Sequence, residues 1–118
     1  MSMDIVIWAA CSLSVPGDLP ESESWKNYGR NDWAYETVSW QLIVEPASNL
    51  ETPEEVKAIE ERTSEAILAT VEPIGAGEEA YKFLNSVAVS VATKCGGAIL
   101  QGPMGLVQLD AQGREIKR

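Results

Sequence analysis

The residues from Glu78 to Gly97 constrain the fold more than any other stretch. Tyr81, Leu84, Ala88, Val91 and Cys95 recur at the three-to-four-residue spacing that stacks side chains on one helical face, while Lys82, Asn85, Ser86 and Lys94 fall largely elsewhere. Glu78 and Glu79 suit the positive end of a helix dipole and Lys94 the negative end. Gly96-Gly97 then offer the left-handed backbone that commonly stops a helix. A helix apolar on one side needs an apolar sheet to lie on, so the remaining chain is expected to supply one.

Strand patterns are present on both sides of this helix. Ile5, Ile7, Ala9, Cys11, Leu13 and Val15 occupy alternate positions ahead of Pro16-Gly17, and the first half of that run is apolar on both faces, as in a central strand. Val38, Trp40, Leu42 and Val44 alternate with Ser39, Gln41, Ile43 and Glu45 up to Pro46, and the strand from Ile5 is their natural partner. Thr52-Pro53-Glu54-Glu55 reads as a capped helix start, with Val56, Ile59 and Thr63 marking its inner face. Its other face carries Glu51, Glu54, Glu55, Glu60, Glu61 and Glu65, the pattern of a solvated surface. Ile67, Ala69 and Val71 predict a third strand, unless the helix runs on to about Ala69. Gly75-Ala76-Gly77 connects to the core helix. Ala98–Gln101 and Leu106–Asp110 form a hairpin about Gly102-Pro103-Met104-Gly105, and Glu115–Lys117 adds a short edge. The expectation is a single two-layer α+β domain over residues 1–118, with a mainly antiparallel sheet of four to six strands packed against two helices.

The longest stretch without periodicity, 16–36, carries Trp25, Tyr28, Trp33 and Tyr35 among Asp18, Glu21, Glu23, Asp32 and Glu36. Long loops in small domains are uncommon, and amphipathic aromatics beside charges dominate protein interfaces. Two readings fit this composition. Either the rings are displayed to a partner, or the loop folds back and they plug an open end of the core.

A net charge of −9 and a pI near 4.4 oppose binding to nucleic acid, whose phosphates are held by Lys and Arg. The same charge attracts a basic protein, although a merely soluble acidic protein has a similar composition. The start Met-Ser-Met-Asp lacks the basic region of a secretory signal, and Ile5–Cys11 is too short to span a bilayer. Trp8-Ala9-Ala10-Cys11 has a lipoprotein-like outline, but Trp8 is bulky for such a site. A cytoplasmic location without membrane contact is expected, with Cys11 and Cys95 behaving as small buried hydrophobes; a disulfide between them stays open as an alternative.

The chain contains no histidine, which removes Ser-His and Cys-His pairs and histidine metal ligands. Neighbouring carboxylates such as Glu54-Glu55 project in different directions on a helix and do not converge as a catalytic dyad. Asp4, Asp32, Glu36 and Asp110 would need the fold to bring them together. No enzyme activity, metal or cofactor is expected.

A small acidic α+β chain with a Trp/Tyr-rich acidic loop and no catalytic set resembles the immunity proteins that bacteria pair with secreted toxins of contact-dependent inhibition and type VI systems. Tyr81-Lys82-Phe83-Leu84, Cys95-Gly96-Gly97 and the Gly102–Gly105 turn are similar to the helix-then-strand ending of small bacterial proteins of this kind. The resemblance implies a non-catalytic inhibitor that occludes a cognate, basic toxin, frequently a nuclease. The contact set expected from the aromatic loop is Trp25, Tyr28, Asp32, Trp33, Tyr35 and Glu36, joined by Asp18, Glu21 and Glu23. Two other classes compete: a ligand-binding or regulatory domain whose loop closes over a pocket edged by Trp8 and Trp40, and a homodimer paired through an edge strand or exposed rings.

Overall fold

In the computed structural model, described over residues 3–29, 32–47, 53–59, 63, 65–72, 77–103 and 105–116, eight strands form one antiparallel sheet and two helices lie on it. The strands are β1 (Met3–Ala9), β2 (Lys26–Asn27), β3 (Trp33–Glu36), β4 (Gln41–Pro46), β5 (Glu65–Glu72), β6 (Ala98–Gly102), β7 (Gly105–Leu109) and β8 (Glu115–Ile116). The helices are α1 (Glu54–Ile59) and α2 (Glu78–Cys95), and a turn of 3-10 helix covers Ser22–Ser24. The α+β class with an antiparallel sheet is the one expected, but the strands number eight rather than four to six. The order is β2-β3-β4-β5-β1-β6-β7-β8, so β5 lies between β4 and β1, which were expected to pair directly.

α2 is the predicted core helix and ends as predicted. Ala80, Leu84, Val87, Ala88, Val91 and Ala92 are buried, and Gly96 takes up φ of 78° at its C-cap. They meet Ile7 and Ala9 of β1, Leu42 and Val44 of β4, Ile67, Ala69 and Val71 of β5, and Ala98 of β6. Burying each large aliphatic chain here contributes about 1.5–3 kcal/mol, so this interface supplies most of the apolar burial. α1 is not in that layer. Val56 packs on the opposite face of the sheet with Trp8, Ala66 and Ile99, at one end of it. Both sides of β1 are therefore buried near Ile7 and Trp8, as its doubly apolar sequence requires.

Three boundaries depart from expectation. β1 stops at Ala9 instead of running to Val15, because Cys11 leaves the sheet to join Cys95 at the end of α2 in a disulfide, with the two Cα atoms 5.3 Å apart. The cysteines are thus covalently paired rather than inert core residues. Val38, expected to point inward with Trp40, is fully exposed in the β3–β4 turn, where Thr37 Oγ1 accepts the Ser39 and Trp40 amides. Residues 16–36 are not one loop, since β2, β3 and the 3-10 turn occupy much of them. The proposed Thr52 cap, Gly75-Ala76 of the connector and the helix-face residues Glu51, Glu60 and Glu61 lie outside the described residues.

The C-terminal edge is tied back onto α2. Asp110 accepts the amides of Gln112 and Arg114 at 2.9 Å, and the Arg114 amide leads the interactions that hold its carboxyl below the usual range. This turn places Gly113, with φ of 81°, against Val89 of α2, where a Cβ would lie 2.6 Å from a valine methyl.

Candidate partner-binding site

Strand parity divides the aromatic segment into two sets. Successive side chains of a strand point to opposite faces, and the register pairs Trp33 with Val44 and Tyr35 with Leu42, both on the α2 side. Ala34 and Glu36 therefore face the other way, beside Ile43 and Gln41. Lys26 pairs with Ala34 on that same outer face, and the Tyr28 amide donates to the Asp32 carbonyl at 2.8 Å, continuing the ladder. Tyr28, Asp32 and Glu36 are thus placed on the face opposite α2, while Trp25, Trp33 and Tyr35 are not.

The inward set plugs the core. Trp25 is only 5% exposed and its Nε1 donates to the Pro20 carbonyl at 2.8 Å. Tyr35 stacks on Phe83 of α2 with ring centroids 4.1 Å apart, and Trp25 and Trp40 flank that pair at 5.7–5.9 Å, a spacing typical of aromatic clusters. Trp33 is half-buried against the same core. The expectation of a displayed Trp25–Tyr35 set is therefore corrected for Trp25, whose ring is inside, and weakened for Trp33 and Tyr35. Among the described residues Tyr28, 65% exposed, is the one openly displayed ring.

The carboxylates divide as well. Asp18 accepts the Ser14 amide at 2.8 Å and meets Lys94 at 3.7 Å, which fastens the 11–19 segment to the end of α2 beside the disulfide. Glu21 accepts the Tyr35 hydroxyl at 2.7 Å; that bond, then desolvation and the carboxylate's charge, raise the phenol's pKa. Glu23 is exposed on the 3-10 turn. Glu36 pairs with Lys26 at 3.5 Å.

Sequence reasoning missed what the outer face adds. Glu45 of β4 has its pKa raised, first by desolvation, then by the charge of Asp32, a hydrogen bond with Asp32 and the charge of Asp4. Three carboxylates, from β1, β4 and the residue just before β3, thus crowd one face. Alternation in Gln41–Glu45 was the available signal, but the partnership with Asp32 and Asp4 depends on register. Glu72 beside them accepts from Gln41 Nε2 at 2.8 Å. Among the described residues no group of three His, Cys, Asp or Glu side chains is arranged to hold a metal, and no helix is long and apolar enough to cross a membrane.

A pocket edged by both Trp8 and Trp40 is ruled out, because Trp8 packs with α1 and Trp40 with α2 on opposite faces. An apolar cleft of about 230 Å³ does open between α2 and β1/β6, lined by Ile5, Ile7, Tyr81, Leu84, Ala88 and Leu100. Comparison with protein families, curated proteins and solved structures finds no match.

Proposed function

We propose that this chain is a non-catalytic binding protein of the immunity type, which neutralises a basic protein toxin by covering its active or substrate-binding surface. The reading is carried by one observation: Tyr28, Asp32 and Glu36, all in the expected contact set, fall together on the sheet face opposite α2. The net charge of −9 supports it, since surplus carboxylates steer a basic protein into encounter and discourage nucleic acid. Co-expression with any toxin domain that a neighbouring reading frame encodes tests the reading, and the absence of such a frame counts against it. The intact chain protects cells, Tyr28→Ala with Asp32→Lys loses protection while remaining folded, and Glu23→Lys keeps most of it. Absence of protection or of a complex with the intact chain removes the proposal.

The place of action also turns on an observation. A cytoplasmic location was expected, yet disulfides persist chiefly in oxidising compartments, and Cys11–Cys95 favours such a compartment for this chain. A toxin met there would have a target other than cytoplasmic nucleic acid, so the nuclease expectation gives way to a toxin acting in the cell envelope. Intact mass of the native protein, with and without reductant and alkylation, decides between the two locations. A thiol pair that is alkylated without prior reduction in freshly lysed cells restores the cytoplasmic reading.

A further inference from the structure

Among the described residues, α1 covers the outer face of the sheet at the end where Trp8, Ala66 and Ile99 lie. Beyond it, register places Ala34, Ile43, Thr70 and Asp4 side by side across β3, β4, β5 and β1. The next row holds Glu45, Leu68 and Val6, then Gln101 and Leu106. Ala34 in the first row is fully buried and Val6 packs against the α1 cluster, while Ile43 and Leu68 remain half-buried and belong to neither packed cluster. On α2's side the equivalent positions Leu42, Val44 and Val71 are fully buried. Ile43 and Leu68 thus form an apolar centre that, among the described residues, lacks the cover its counterpart has.

Around that diagonal the charges have one dominant sign. Asp4, Asp32, Glu36, Glu45 and Glu72 surround it, and among the described residues Lys26 is the one cation on these strand positions, already turned to Glu36. A second copy of this chain would bring like charge against like charge, and a nucleic acid or anionic membrane would be repelled. A cationic protein segment meets complementary charge at the rim and apolar surface at the centre, which is the arrangement of binding interfaces generally.

We propose that this face, centred on Ile43 and Leu68, bordered by Val6 and rimmed by Asp4, Asp32 and Glu45, receives an amphipathic, positively charged segment of the partner protein. The inference deepens the immunity reading and rests on it for the partner's identity, but the surface chemistry stands by itself. The crowding of Glu45 with Asp32 and Asp4 adds support, because a docking cation relieves carboxylate repulsion that the free protein sustains.

Two lysine–leucine peptides of equal composition provide the probe, one with its leucines on a single helical stripe and one scrambled. Titration followed by amide shifts should show the striped peptide binding roughly tenfold tighter or more, with shifts at Ile43, Leu68 and Val6. Ile43→Glu and Leu68→Glu separate the causes. They add negative charge while removing apolar contact, so the inference expects about a tenfold loss, whereas attraction by charge alone would strengthen binding. Ile43→Thr and Leu68→Thr, which keep the strand while trimming the apolar surface, repeat the test if the glutamates unfold the sheet, and Val38→Glu in the exposed turn is the control. Equal binding of the two peptides, tighter binding by the glutamate variants, or shifts confined to another surface overturns the inference. So does a dimer in light scattering that Leu68→Glu dissolves. Protection by the intact chain that survives both glutamate variants rejects this face while leaving the immunity function standing; peptide binding without any toxin protection does the reverse.

Discussion

Leu42 and Ile43 are neighbours on β4, and Leu42 is fully buried beneath α2 whereas Ile43 is half-buried on the opposite face. The same contrast holds between Val71 and Thr70 on β5, and between Ile7 and Val6 on β1. On one side, an eighteen-residue helix and a cluster of aromatic rings seal the sheet. On the other, the six residues of α1 cover one end, and the described remainder carries half-buried Ile43 and Leu68 with carboxylates around them. On the proposed reading the two faces divide the labour: the first supplies cohesion, and the second is left for contact. Stability and binding are therefore expected to respond to different residues, even adjacent ones.

The strongest challenge to that division is Trp25→Ala. Loss of a buried tryptophan costs about 3–5 kcal/mol, while Tyr28→Ala, three residues away and exposed, stays within about 0.5 kcal/mol. Urea denaturation of both variants measures the gap. Leu42→Ala and Ile43→Ala repeat the comparison on a single strand, with about 2–5 kcal/mol expected for the first and well under half of that for the second. Equal losses at positions 42 and 43 would mean that the outer face is as tightly covered as the inner one.

The disulfide comes next. It joins residues separated by 84 positions and secures the segment after β1 to the end of α2. Replacing both cysteines by serine should cost about 2–4 kcal/mol, visible as a lower thermal midpoint that reductant no longer affects. Binding through the outer face should persist in the folded fraction, because the bond lies on the α2 side.

Gly113→Ala tests the C-terminal edge. The left-handed backbone and the 2.6 Å approach to Val89 act together, and about 2 kcal/mol of destabilisation is expected. Hydrogen exchange should show the loss first in β7 and β8. A neutral effect would mean that this turn does not rest on α2.

The smallest effect concerns protons on the open face. Glu45 binds its proton more tightly in the folded protein than in the unfolded chain, so its ionisation opposes folding. That penalty is present at neutral pH and disappears as pH falls through the raised folded value to the ordinary carboxylate range. Glu45→Gln should therefore be slightly more stable than the parent at neutral pH and indistinguishable from it in acid. Thermal midpoints across pH check the sign, and a variant less stable at neutral pH would show that Glu45 is paired with a cation rather than crowded by carboxylates.

Local pattern was enough to determine α2 with both of its ends, the C-terminal hairpin with its short edge strand, and the inward positions Trp40, Leu42 and Val44, because helix and strand periodicity act between residues close in the chain. It was also enough to single out 16–36 as unusual, and to raise, without choosing, the alternative that its rings plug the core. Choosing required tertiary structure. Trp25, Trp33 and Tyr35 turn inward because β3 pairs with β4 in a register that no local spacing specifies, and a shift of one residue would have reversed every side chain in the hairpin. The insertion of β5 between β4 and β1, the meeting of Cys11 with Cys95, and the approach of Asp4 and Asp32 to Glu45 have the same origin. Each joins residues far apart in the chain, where the pairing of strands, and not the preference of any segment, decides which groups become neighbours.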